Sequence, residues 1–196
     1  MTIITYQPAQ PDQSEVIAGY IIMAGGEFFD FLLANFVPGL TPKQIVAEQV
    51  AAEAGEFSYR YIEVALDGGQ VVGIVNSYPA QELKLSPEMA ASLPRDRLEI
   101  LREFMTTCVE DSWYLSILAV APNYRQQGIG GQFIDLVKQK AKNQGFSSLS
   151  LTTWADNRQA IRLYQQHEFQ IIQHRQIALH PLLPDHGGFL LLECRL

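Results

Sequence analysis

The sequence predicts a single α/β domain with a mixed central sheet of about seven strands and flanking helices. Three observations predict it. The chain has 196 residues, 47% of them apolar, which is enough for one sizeable core. Segments of strand character and segments of helical period follow one another along it. The run from Tyr114 to Thr153 reads strand, turn, helix, strand, which implies parallel pairing at the centre, while both ends look antiparallel.

In order, Thr2 to Tyr6 alternates weakly and suits an edge strand, ended by Pro8 and Pro11. Asp12 or Ser14 can cap a helix with Val16, Ile17, Tyr20, Ile21 and Met23 on its apolar face. Gly25-Gly26 interrupts it. Glu27 to Phe36 resumes with Phe28, Phe29, Phe31, Leu32, Leu33 and Phe36, too many for one stripe. Either this helix is buried on several sides or it forms an aromatic wall over a pocket. Glu27 and Asp30 sit among these residues, either as plain surface groups or facing an amine. Thr41-Pro42-Lys43-Gln44 is a capping box with proline at the first helical position, opening a helix to about Ala54 with Ile45, Val46, Val50 and Ala54 inward. Tyr59 to Leu66, Asp67-Gly68-Gly69-Gln70 and Val71 to Tyr78 read as strand, tight turn, strand.

Residues 79–112 read as a helical insertion between the third and fourth strands, with helix starts at Ser86-Pro87 and Arg95-Asp96. Leu98, Leu101, Phe104 and Met105 give the second of these helices an apolar face. Tyr114 to Val120 suits a mostly buried strand stopped by Pro122 and Asn123. Gly131 to Asn143 is helical, with Ile129, Phe133, Leu136, Val137, Lys140 and Ala141 in phase and Gly145 as its C-cap. Ser148 to Thr153 is a strand, Asp156 or Asn157 caps a short helix to Gln166, and Phe169 to Leu179 and Phe189 to Leu196 are the last strands. No internal repeat or low-complexity linker divides the chain, so residues 1–196 are read as one domain.

Between strand and helix lies Arg125-Gln126-Gln127-Gly128-Ile129-Gly130-Gly131. Glycine lets a ligand approach the backbone, and the first turn of a helix offers unpaired N–H groups at its positive end. Together they make an anion cradle suited to phosphate. No Gly-Lys-Ser/Thr follows, so this is not a P-loop, and the order of glycines is not that of a dinucleotide-binding turn.

The net charge of −7 disfavours nucleic-acid or anionic-membrane binding, and an anionic cofactor would be held by local groups against it. Cys108 and Cys194 fit no metal or redox spacing, so no metal is expected. The start of the chain lacks a signal-peptide pattern, and no run of about eighteen apolar residues appears, so the expectation is a cytoplasmic protein with no membrane span.

Arg125 to Gly130 resembles the Arg/Gln-x-x-Gly-x-Gly/Ala motif of the GCN5-related N-acetyltransferases (GNAT). Leu149 to Trp154 looks like that family's strand after the cofactor helix. Asn157, then Ala160-Ile161-Arg162-Leu163-Tyr164, then Glu168-Phe169 resembles its Asn…Ala-x-x-Leu-Tyr…Gly-Phe signature, with Glu168 where the family has glycine. The resemblance runs from about Tyr114 to Ile172, with a weaker match in the 67–73 hairpin.

It implies two splayed central parallel strands with the pantetheine arm of acetyl-coenzyme A between them. Leu118, Ala119 and Val120 would pair with that arm, Arg125 to Gly131 would hold the pyrophosphate, and Asn157 would bond the arm. A main-chain amide near Leu118 to Val120 would face the developing oxyanion, and Tyr164 would protonate the leaving thiolate. The implied reaction is transfer of acetyl to a primary amine of a small molecule or peptide, in a ternary complex, by a monomer or homodimer. Where some relatives have a glutamate base this chain has Tyr114, leaving a water chain to Glu110, Asp111 or Ser116, or an amine that arrives neutral. Phe28, Phe29, Phe31 and Tyr78 suggest an aromatic acceptor side. The rival readings are a non-catalytic acyl-coenzyme A sensor and a transferase for a longer acyl group or a hydroxyl acceptor. The four histidines, His167, His174, His180 and His186, are expected at the surface.

Overall fold

The computed structural model describes residues 3–33, 35–85 and 87–196, apart from the side chains of 87–89. Thr2, Ala34 and Ser86, named above in a strand, a helix and a helix start, lie outside the described residues.

A single seven-stranded sheet runs in the order β1-β2-β3-β4-β5-β7-β6. Its strands are β1 (Ile4–Pro8), β2 (Ile62–Asp67), β3 (Gln70–Pro79), β4 (Trp113–Val120), β5 (Ser148–Trp154), β6 (Gln170–Arg175) and β7 (Phe189–Arg195). The β4–β5 pair is parallel and every other pair antiparallel. Gly68 and Gly69 both take positive φ, the geometry of the tight β2–β3 hairpin.

One face carries α1 (Ser14–Gly25), α2 (Glu27–Leu33), α3 (Pro42–Ala51) and α5 (Arg95–Thr106), which bury Ile17, Ile21, Val46, Leu98 and Leu101. A short α4 (Pro87–Ser92) precedes α5. On the other face, α6 (Ile129–Asn143) and α7 (Arg158–Gln166) bury Phe133, Ile134, Val137 and Tyr164. The capping box at Thr41 forms with Gln44 in both directions. The break at Gly25-Gly26 turns the chain by 103° between α1 and α2. Among the described residues no single helix is long and apolar enough to cross a membrane.

Several boundaries and faces differ from expectation. The capping box before α1 is Gln10 with Gln13, around a short 3₁₀ turn, and neither Asp12 nor Ser14 caps the helix. Val16 and Met23 are exposed, because Ile17, Ala18 and Ile21 fill the seam against the sheet. Helix α3 ends at Ala51, which leaves Ala54 in an exposed turn. On α6 it is Ile134 that is buried and Leu136 that is exposed. Lys140, the polar exception in that face, reaches the Glu63 carboxylate at 2.6 Å and lies over the Trp113 ring. Strand β6 stops at Arg175, four residues before the expected Leu179.

Glu168 keeps the turn of the family's glycine by taking φ of 69° itself. Its carboxylate meets Lys138 in an exposed pair at 3.2 Å. A left-handed non-glycine residue costs about 1 kcal/mol or more, and such a pair returns little. Glu168→Gly is therefore expected to raise stability by up to about 1 kcal/mol, read as a higher unfolding midpoint.

Candidate active site

The sheet opens at its centre. β4 and β5 pair only at Trp113–Leu149 and Tyr114–Ser150, and no pairing follows. The cause is visible on the other edge of β4. Ile117 opposes Asn76 and Leu115 opposes Ser77, so Ser116 is an extra, bulged residue. A bulge bends its strand and adds twist, which turns β4 away from β5.

The main-chain direction along β4 follows from one bond. The Ala121 N–H donates to the Val72 carbonyl at 2.8 Å. By the alternation of an antiparallel ladder, Ala119 then spends its main-chain groups on β3, and Leu118 and Val120 face the gap. Ala119 is thus removed from the expected pantetheine-pairing trio. The Val120 carbonyl accepts from Arg125 Nε at 3.1 Å.

After β4 the chain makes the expected turn. Gln126 has φ of 59° and Gly128 has φ of 84°, with Gly128 standing as N-cap of α6. A Cβ built on Gly128 meets no atom within 4 Å, so the turn faces open space. The first amides of α6, from Ile129, Gly130 and Gly131, have no partner inside the helix. The Ile129 side chain is buried in the core, so only its amide is available to a ligand. Gly130 and Gly131 serve packing, since an added Cβ would press on Leu163 and His167. The Gln127 side chain is spent on the Asn123 carbonyl at 3.0 Å. An open left-handed glycine beside free helix-end amides suits a diphosphate, and the split strands suit a narrow amide-bearing arm.

Beside the gap lies a cavity of about 390 Å³. Leu118, Asn157, Ala160 and Tyr164 line it, as do the aromatic residues Phe28, Phe29, Phe57, Phe104 and Trp154. Tyr78, Tyr114, Ser116, Thr152 and Glu56 supply polar groups, together with Gln49, Ser92 and Thr153. Asn157 caps α7, its Oδ1 accepting from the Ala160 N–H at 3.2 Å. The Tyr114 hydroxyl and Thr152 Oγ1 share a hydrogen bond of 2.7 Å. The Tyr78 hydroxyl is buried and makes no well-formed hydrogen bond to a described residue, with the Ser116 hydroxyl close enough to ease its shift. The Tyr164 hydroxyl likewise makes no hydrogen bond to a described residue.

Burial dominates the electrostatics here. It pushes Tyr164 well above the ordinary phenol value, with Tyr114 adding to the shift. It pushes Tyr114 up to about 12, against the relief from its bond to Thr152. Tyr78 is raised by burial and then by the charge of Glu56. All three are neutral at pH 7.

Burial also pushes the Glu56 carboxyl from 4.5 up to about 7. The folded chain therefore holds this proton more tightly than the unfolded one. Stability from the group is complete below pH 4.5 and is lost as pH rises through about 7. Glu56→Gln is expected to match the parent at pH 4.5 and exceed it at pH 8 by roughly 1–2 kcal/mol, after discounting for partial exposure. Urea unfolding at the two pH values checks this.

The cavity sorts the remaining candidates. Phe28, Tyr78, Tyr114 and Ser116 line it. Glu27 and Asp30 are exposed on the outer side of α2 and do not. Phe31 packs on His180, with ring centroids 4.8 Å apart, and lies outside it. Glu110 and Asp111 are exposed at the start of β4, remote from the gap at its far end, and Asp111 accepts from Gln81 at 3.0 Å. Neither is positioned as a base. His174 alone of the histidines is exposed. His186 is half-buried, stacked on Trp154 and bonded to Asp156 at 2.9 Å, and His167 and His180 are half-buried by packing.

Sequence reasoning missed Glu56, Phe57 and Thr152. Glu56 stands in the turn between α3 and β2, where a carboxylate resembles any surface acid. Its one local signal was the neighbouring aromatic, Phe57.

A sequence model of the acetyltransferase (GNAT) family matches residues 29–169. The chain belongs to this family. It is an acyltransferase, with the mixed α/β fold of known GNAT structures. It is similar to N-acetyltransferase family 8 member 2 of Rattus norvegicus, at 27% identity over 88% of this chain and 69% of the relative. It is also similar to the probable N-acetyltransferase family 8 member 5 of Mus musculus, at 27% identity over 73% of this chain and 56% of the relative. The chain thus spans little more than half the length of the mouse protein. Among solved structures, an N-acetyltransferase from Staphylococcus aureus Mu50 superposes with a TM-score of 0.70 at 19% identity, covering 96% of this chain and 99% of that one.

Proposed function

We propose that this GNAT protein transfers an acetyl group from acetyl-coenzyme A to a primary amine, by direct attack in a ternary complex. The observation that carries this reading is one continuous arrangement: the open Gly128 turn, the gap beside Leu118 and Val120, and Tyr164 on the cavity wall.

Acetyl-coenzyme A supplies the acetyl group already activated as a thioester. The amides at the start of α6 hold its diphosphate, and the Arg125 side chain, anchored on Val120, adds positive charge beside it. The main-chain groups of Leu118 and Val120 orient the pantetheine arm, with the Asn157 amide as a further partner. An N–H facing the gap offers a donor to the charge developing on the acyl oxygen. Tyr164 stays protonated at neutral pH and donates its proton to the departing sulfur. Dry surroundings that raise Tyr164 also raise the basicity of a thiolate formed beside it.

Calorimetric titration with acetyl-coenzyme A, with ATP as control, tests the reading. Saturable binding of acetyl-coenzyme A but not ATP, followed by amine-dependent thiol release, is expected. Absence of binding at millimolar concentration would overturn the reading, and binding without turnover on any amine would leave a sensor in its place.

A further inference from the structure

We infer that the acceptor is a monoamine on an aromatic-sized apolar body, and that Glu56 receives its ammonium and takes the proton that frees the nitrogen for attack. The inference rests on the transferase reading above.

Three observations meet at this point. Glu56 is the only carboxylate, and the only acidic or basic side chain of the Asp, Glu, Lys, Arg and His types, among the described residues lining the cavity. Its carboxylate makes no ion pair or hydrogen bond with a described residue, so it is available to a ligand. Beside it, the buried Tyr78 hydroxyl has only the Ser116 hydroxyl within loose reach and no well-formed hydrogen bond, and an ammonium N–H would satisfy its oxygen. From Phe57, next to Glu56 in the chain, the lining rings run in contact through Phe29, Phe28 and Phe104 to Trp154, with Phe104 and Trp154 stacked at 4.4 Å. One carboxylate at the end of a continuous aromatic lining fits an amine with an apolar body. It offers a second ammonium no carboxylate among the described lining residues, so a monoamine is preferred to a diamine.

Glu56 is held in place from both sides. Asn76 Nδ2 donates to its carbonyl at 2.9 Å. Ser58 Oγ donates to the Ala52 carbonyl at 2.7 Å and accepts from the Arg60 N–H at 3.3 Å, closing the same turn. The titratable groups that face the carboxylate are Tyr78 from β3 and Tyr114 from β4, and Cys108 lies beside those two tyrosines. All three are raised and therefore neutral near pH 7, so Glu56 alone titrates there. With its own value near 7, it is poised as a general base.

The step balances without a further reactant. One ammonium proton passes to Glu56, and the freed nitrogen lone pair forms the C–N bond to the acyl carbon. The C–S bond breaks with its electron pair on sulfur, which takes the Tyr164 proton. The second nitrogen proton returns to the Tyr164 phenolate, and Glu56 releases its proton to water. Tyr114 is near enough to feel the charge of Glu56 and, separately, to shift Tyr164.

The test uses 2-phenylethylamine, putrescine and neutral 2-phenylethanol as probes on the full chain saturated with coenzyme A. Calorimetry should find 2-phenylethylamine bound at least about 10-fold more tightly than either of the others. Turnover should favour it in the same order, with kcat/KM rising as pH rises through about 7. Glu56→Gln should lower kcat/KM for 2-phenylethylamine about 100-fold at pH 8, abolish the acid limb and leave acetyl-coenzyme A affinity unchanged. Retention of rate and acid limb in Glu56→Gln would overturn the role of Glu56. Preference for putrescine, or no binding of 2-phenylethylamine by a chain that binds acetyl-coenzyme A, would overturn the acceptor class. A chain that fails to bind acetyl-coenzyme A would overturn the transferase reading and this inference with it.

Discussion

Tyr164→Phe is expected to lower kcat by about 100-fold or more while acetyl-coenzyme A binds as before. The change removes one oxygen that bonds to no described residue, so folding should hardly notice it. The ring itself stays, packed 5.7 Å from Phe169 and shielded from water. What is lost is the proton donor to the leaving sulfur, an interaction made only as the C–S bond breaks. The loss should therefore fall on kcat and kcat/KM together, with no change in the binding constant of acetyl-coenzyme A. Steady-state thiol release beside calorimetry separates the two. An unaltered rate would remove Tyr164 from the acid role.

Gly128→Glu is expected to weaken acetyl-coenzyme A binding by more than about 100-fold, on the scale of a charge placed against a diphosphate. The side chain has room, since no atom lies within 4 Å of the new Cβ. That room is the space where the diphosphate is expected, and the new carboxylate repels it. A second effect accompanies the first, because φ of 84° suits glycine and costs another residue about 1–2 kcal/mol. Gly128→Ala separates them. It carries the same backbone cost with a small uncharged side chain, so it should lose stability yet keep affinity within about 10-fold. Equal affinity in Gly128→Glu and the parent would remove the turn from the binding site.

Much of the fold was legible because its signals are local. The capping box at Thr41, the glycine pair between Asp67 and Gln70 and the glycines opening α6 each state a backbone geometry within a few residues. The site was legible only along the segments that carry these signals. The 125–131 turn could be named from its glycines and Tyr164 from the family resemblance, and both border the gap or its cavity. Glu27, Asp30, Glu110 and Asp111 could not be separated from Glu56 by type or neighbours. Each is an acid near an element end, and only packing decides which one loses its water.

By itself the sequence determined the order of strands and helices along the chain and the glycine turn that opens α6, since hydrophobic period, caps and glycine positions act over a few residues, and its motifs carried the family resemblance. Tertiary structure alone decided three things. The Ser116 bulge, defined by its register against β3, opened the gap between β4 and β5. The ladder phase turned Ala119 away from that gap and left Leu118 and Val120 facing it. The packing of the 52–60 turn against β3 brought Glu56 beside Tyr78 in an aromatic cavity. The reason is common to all three: register, bulges and desolvation arise between segments distant in the chain, and no single segment encodes them.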